Sequence, residues 1–160
     1  MAVKMFLKIG DIKGESKDAK HKDDIVVTSW AWGLAQTGTT PSGGGGGAGK
    51  VSFQDLTFTH AIDKASPNLM KACATGRHVP DATLSMHKAG GQPQDYLIVK
   101  MTDVLVTSVQ TGIDAGQTGG LETVTLSFAK VALEYKPQKP NGAFDAGVTF
   151  TWNLKTNAEV

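Results

Sequence analysis

The sequence predicts a mainly β fold: a β-barrel of two packed, bent antiparallel sheets with one flanking α-helix. Three observations carry this. Apolar residues recur at every second position along most of the chain, two long segments of that kind change phase partway, and only one stretch has both the apolar spacing and the end signals of a helix. A slip of one position turns the apolar set to solvent unless the strand bulges or bends. Long bent strands suit a barrel or two packed sheets better than a flat sheet.

The elements follow in order. Val3, Met5, Leu7 and Ile9 alternate with Lys4 and Lys8, giving a first strand over 3–9. From 25 to 35 a large set (Val26, Thr28, Trp30, Trp32, Leu34) opposes a small one (Val27, Ser29, Ala31, Gly33, Ala35), and Val26, Trp30, Trp32 and Leu34 are expected to point into the core. Next, 51–53 and 56–58 alternate out of phase around Gln54 and Asp55. The helix begins at Ser66, whose hydroxyl can cap its free amides, with Pro67 at the first helical position. Leu69, Met70 and Cys73 share a face, and Gly76 can close the helix in a left-handed conformation. A strand is expected over 82–88. The segments 96–109 and 121–135 carry the phase changes; in the second, Val124, Leu126 and Phe128 give way to Val131, Leu133 and Tyr135 near Ala129 and Lys130. In the last strand, Val148, Phe150, Trp152 and Leu154 oppose Thr149, Thr151, Asn153 and Lys155, so one face is wet.

A length of 160 residues argues for a single domain over 1–160. A chain of this size hides roughly 69% of its unfolded surface, enough for a core without disulfides or metal. Sixteen Lys and Arg against 15 Asp and Glu leave a net charge of +1. The basic residues form no stripe and the aromatics lie on apolar faces, so nucleic-acid binding has no footprint. Near-neutrality also removes the repulsion that keeps copies apart, which permits homo-oligomers. The one cysteine, Cys73, cannot form an internal disulfide. Lys4 and Lys8 interrupt the apolar N-terminus before it reaches signal-peptide length, and no apolar run approaches the ~18 residues of a membrane span.

Motifs for chemistry are weak. The run Gly43-Gly44-Gly45-Gly46-Gly47-Ala48-Gly49-Lys50-Val51 imitates two nucleotide-binding signatures, but such a loop needs a strand before it and a helix after it, and a strand follows here. The four histidines, His21, His60, His78 and His87, show no zinc spacing, and His21 with Asp23 and Asp24 reads as a solvated charge cluster. His60 and Asp63 could act as an acid/base pair only if the fold brought a nucleophile to them. The expectation is therefore no catalytic residue, no cofactor and no metal. The small set of the 25–35 strand is less ordinary, because a merely solvated face usually carries Lys, Glu and Thr. Ser29, Ala31 and Gly33 point instead to a close approach or to a confined space.

Several runs, taken in order, resemble the haemolysin-coregulated protein (Hcp) family over nearly the whole chain: residues 5–16 (MFLKIGDIKGES), 29–33 (SWAWG), the glycine loop running into 50–55 (KVSFQD), 63–70 (DKASPNLM), 96–99 (YLIV) and 124–128 (VTLSF). The resemblance implies the inner tube of the bacterial type VI secretion system: a β-barrel with one helix whose hexameric rings stack into a tube. It implies a chain made in the bacterial cytoplasm without a signal peptide and secreted through the type VI apparatus. Its partners would be further copies of itself, the sheath and spike components, and effector proteins carried in the lumen. Within that frame, Ser29, Ala31 and Gly33 are expected on the channel wall. The loop Thr39-Thr40-Pro41-Ser42-Gly43-Gly44-Gly45-Gly46-Gly47-Ala48-Gly49 is expected to contact a neighbouring ring, since its six glycines leave it free to order on contact. Two other readings stay open: a phage-type tail-tube subunit, and a small-ligand-binding barrel or split-barrel enzyme, which needs an apolar pocket with convergent polar groups.

Overall fold

Ten strands and one helix follow in order in a computed structural model that describes residues 2–37, 50–88 and 94–160. They are β1 (Val3–Ile9), β2 (Ile25–Val27), β3 (Ser29–Ala31), β4 (Leu34–Ala35), β5 (Ser52–Phe53), β6 (Leu56–Ala61), α1 (Ser66–Thr75), β7 (His78–Lys88), β8 (Leu97–Gly112), β9 (Leu121–Tyr135) and β10 (Val148–Asn153). The main sheet runs β2-β1-β7-β8-β9-β6-β3, antiparallel throughout, and β10 pairs with the far half of β9. Its two end strands are consecutive in the chain, joined at Thr28, whose N–H donates to the Thr59 carbonyl at 2.8 Å. That link brings the sheet almost to closure. Leu7, Ile9, Ile25, Leu56, Phe58, Leu84, Val99, Val104, Val124 and Leu126 fill the interior.

The expected bends lie where the strands change phase. In β9 the buried set passes from Phe128 to Val131, across Ala129 and Lys130. Opposite, Asp103 of β8 takes a left-handed φ of 56°, and the buried set passes from Met101 to Val104. A second irregularity between Val106 and Ser108 adds a bulge to β8. Around Gln54 and Asp55 the slip is resolved differently: the chain breaks into β5 and β6.

The 25–35 segment departs from its expected form. It is three short strands, with Ile25 and Val27 buried, while Val26 is 48% and Leu34 49% exposed. Thr28 passes the chain from β1 to β6, and the inward set changes from odd to even positions there, so of the four expected core residues only Trp30 and Trp32 pack against the interior. The small β4–β5 ribbon is held by aromatics: Trp32 stacks on Phe53 with centroids 5.9 Å apart, and Phe53 meets Trp152 at 6.3 Å.

The helix packs on β8 through Leu69 and Ala72 and ends at Gly76 with φ 65°, as its sequence predicts. Its start is different. Ala65 is the N-cap residue and Ser66 lies inside the helix, where its hydroxyl accepts from the Asp63 N–H at 3.2 Å; the Asp63 carboxylate in turn accepts from the Ala65 N–H at 2.8 Å. The aspartate, three residues ahead of the serine, therefore organises this turn.

Candidate functional site

Registration across four strands gathers a face that no single segment displays. Ser29 pairs with Thr59, Thr59 with Thr123, and Thr123 with Gln110; Ala31 pairs with Thr57, Thr57 with Thr125, and Thr125 with Ser108. Directly paired residues lie on the same side of a sheet. The two rows therefore form one continuous surface across β3, β6, β9 and β8, and all eight members are short or neutral. The alternate positions, Phe58, His60, Glu122, Val124 and Leu126, are buried in the barrel.

Local hydrogen bonds knit this face. The Thr59 hydroxyl meets those of Thr28 and Ser29, the Thr57 hydroxyl lies 3.3 Å from that of Thr125, and Thr107 Oγ1 donates to the Thr125 carbonyl at 3.2 Å. Hydroxyls tied to one another present few free donors, so the surface is polar and uncharged. Ser29 and Ala31 are exposed on it, while Trp30 between them turns inward and donates its indole N–H to Met86 Sδ at 3.1 Å. Gly33 lies beyond β3, half-buried; a Cβ built there would meet nothing nearer than Gln54 Oε1 at 3.5 Å, so the subunit itself does not require glycine at this position.

The expected stacking loop, 39–49, lies outside the described residues. Thr57, Thr59, Thr123, Thr125, Ser108 and Gln110 escaped sequence reasoning because their shared face exists only once distant strands pair. The readable signal was the hydroxyl alternation itself, Thr57 and Thr59 around Phe58, and Thr123 and Thr125 around Val124.

The histidine and carboxylate groups fall into separate places. His60 and Asp63 come near each other, with His60 Nδ1 3.7 Å from Asp63 Oδ1, but the main partner of His60 is Glu122, at 2.8 Å from Nε2, and both residues are wholly buried. Thr111 Oγ1 donates to the other Glu122 oxygen at 2.7 Å. Burial holds the Asp63 carboxyl above its usual range in spite of the Ala65 N–H, with Glu15 and Glu122 adding to the rise. His21, expected in a solvated cluster with Asp23 and Asp24, is instead only 8% exposed and pairs with Asp24 and Asp95. Among the described residues, no helix is long and apolar enough to cross a membrane.

Comparison with known proteins accounts for the whole chain. The family model "Type VI secretion system effector, Hcp" matches residues 6–135. Protein hcp1 of Pseudomonas aeruginosa is 53% identical over 161 residues, covering 99% of each chain. A solved structure of a type six secretion system protein superposes with a TM-score of 0.93 at 33% identity, covering 99% of this chain and 100% of the other. Hcp1 from Salmonella typhimurium superposes at 0.82 with 43% identity over the full length of both.

Proposed function

We propose that this chain, which belongs to the Hcp family of type VI secretion proteins, assembles as a homohexameric ring whose channel is lined by the face running from Ser29 and Ala31 to Gln110 and Ser108. The family's role as a structural tube subunit frames the reading, and the eight-residue uncharged surface carries it. A head-to-tail ring closes when each subunit offers two different complementary surfaces, and among the described residues β2, β3 and β10 each have a strand partner on one side only, which makes their other sides candidates for contacts across subunits. Val26 on β2 and Val148 on β10 are exposed apolar side chains on those edges.

A conduit for folded cargo differs from a ligand pocket in what its wall needs. A pocket holds its guest with apolar area and a few convergent donors; a conduit keeps contacts weak and the bore open. The Ser, Thr and Ala rows fit the second description. The family's role supports a structural rather than a catalytic reading, and the His60–Glu122 pair, wholly buried, fits a part in holding the barrel together. Sheath and spike components and carried effectors complete the partner set, the protein leaves the cell through the type VI apparatus, and the 39–49 loop joins ring to ring.

Mass measurement in dilute, physiological-salt solution tests the assembly. The expected species has about six times the chain mass of 16.8 kDa. A monomer at micromolar concentration contradicts the ring.

A further inference from the structure

Two histidines 66 positions apart in the sequence converge on one aspartate. His21 lies in the turn leading into β2, His87 near the end of β7, and Asp95 just ahead of β8. His21 Nε2 is 3.0 Å and His87 Nδ1 3.4 Å from the same oxygen, Asp95 Oδ1, and the three ligand atoms all lie within 4.8 Å of one another. The far side of each ring faces a second carboxylate: His21 Nδ1 is 3.1 Å from Asp24 Oδ2, and His87 Nε2 is 3.6 Å from Asp18 Oδ2. Phe6 stacks on His21 with centroids 4.5 Å apart, and His87 is 3% exposed.

A neutral imidazole has one N–H and one lone pair. With a carboxylate oxygen at both nitrogens, each neutral ring turns its lone pair toward an anion, which is repulsive at these distances. A positive charge on one side of each ring removes the repulsion. One cation seated between His21 Nε2, His87 Nδ1 and Asp95 removes both conflicts at once. It leaves His21 Nδ1–H to donate to Asp24 and His87 Nε2–H to Asp18, the carboxylate–histidine–metal arrangement that fixes ring tautomer and raises ligand basicity. The spacing also fits: bonds of 2.0–2.1 Å in a tetrahedron set donors about 3.3 Å apart, and the two nitrogen-to-Asp95 separations are 3.0 and 3.4 Å.

We infer that His21, His87 and Asp95 bind a divalent transition-metal ion of the zinc class, with Asp24 and Asp18 orienting the two rings and water in the fourth position. Two imidazoles and one carboxylate favour zinc over magnesium or calcium, which prefer all-oxygen sites. The ion clamps the 16–24 turn onto β7 and the entry to β8, so it holds the chain segment that delivers β2 to the sheet.

The test uses tag-free, full-length assembled protein stripped with a chelator, then titrated with zinc chloride by calorimetry and with cobalt chloride by absorption. The expected result is one ion per chain bound at micromolar or lower concentration, with the intense visible bands of four-coordinate cobalt. In about hundredfold excess of zinc over the dissociation constant, Tm should rise by roughly 5–10 °C. Asp95→Asn and His87→Gln should each weaken uptake by more than about a hundredfold, and Asp24→Asn, which keeps every ligand, by about tenfold. If His87→Gln fails to fold, Asp95→Asn and Asp24→Asn decide the matter. Absence of uptake, or uptake unchanged in Asp95→Asn, overturns the site. So does a nitrogen NMR spectrum in which both rings stay doubly protonated at pH 7 with saturating zinc.

Discussion

His60 of β6 and Glu122 of β9 are directly paired across the sheet, and their side chains meet at 2.8 Å with no solvent exposure on either. The pair sits on the barrel side of the same strands whose outer side carries Thr57, Thr59, Thr123 and Thr125. Removing His60 leaves a wholly buried Glu122 with one oxygen unpartnered and only Thr111 on the other. His60→Ala should therefore cost about 3–5 kcal/mol, read as a fall in the denaturation midpoint. The double variant His60→Leu/Glu122→Leu should recover most of that loss, since apolar replacement of a buried pair is often neutral. A double variant as unstable as the single one contradicts this account of the pair.

Gly14 and Gly33 are expected to respond in opposite ways to alanine. At Gly14 a Cβ would lie 2.5 Å from the Asp24 carbonyl oxygen and 2.6 Å from Ile25 Cα, both backbone atoms that cannot move without shifting the start of β2. Gly14→Ala should destabilise by about 1–3 kcal/mol, while Gly33→Ala meets only ordinary contact and should leave Tm within the range of neutral surface changes. Thermal unfolding of the two variants side by side checks the contrast.

Asp103 gives an acid-side prediction. Its carboxyl is held below the usual value of 3.8 by hydrogen bonds from His78, at 2.8 Å, and then from Lys155, at 3.2 Å. A carboxyl with a folded pKa below its unfolded one stabilises fully above about 3.8, and that contribution fades as pH falls through the folded value. Asp103→Asn, which tolerates the left-handed φ of 56°, should flatten the stability profile below that pH and lower the plateau above it. Unfolding curves from pH 2 to 7 decide it; parallel profiles for the two proteins would contradict the assignment.

Much of the architecture was legible because strand periodicity is local. The one-position slips in 96–109 and 121–135 mark the bend that Asp103 and Ala129 make side by side, and the helix-closing signal at Gly76 acts within a turn. The 25–35 segment misled because its alternation is regular while the chain changes partner at Thr28, leaving β1 for β6; periodicity cannot reveal which strand receives it. The outer threonine rows were half legible, as alternations without a known neighbour. The His21–Asp95 contact was not legible, since it joins residues 74 positions apart through a turn with no zinc-like spacing.

The channel reading makes Ala31 a sensitive position. Ala31→Arg places a long charged side chain on an exposed, uncharged surface, so ring mass and Tm should stay near those of the parent. Cargo recovered with the ring in co-purification should fall several-fold. Normal cargo recovery with Ala31→Arg removes Ala31 from the channel wall.

Shortening the loop from Thr39 to Gly49 should leave rings intact and abolish tubes and secretion, as seen by electron microscopy of the purified protein and by assay of the culture medium. Rings that fall apart would assign the loop to the contact within one ring.

A density map of the purified assembly at side-chain resolution tests the central claim most directly. The account predicts a closed six-fold ring in which Ser29, Ala31, Thr57, Thr59, Thr123 and Thr125 face the bore. A ring with those residues on its outer circumference, or with them buried against a neighbouring subunit, would contradict it.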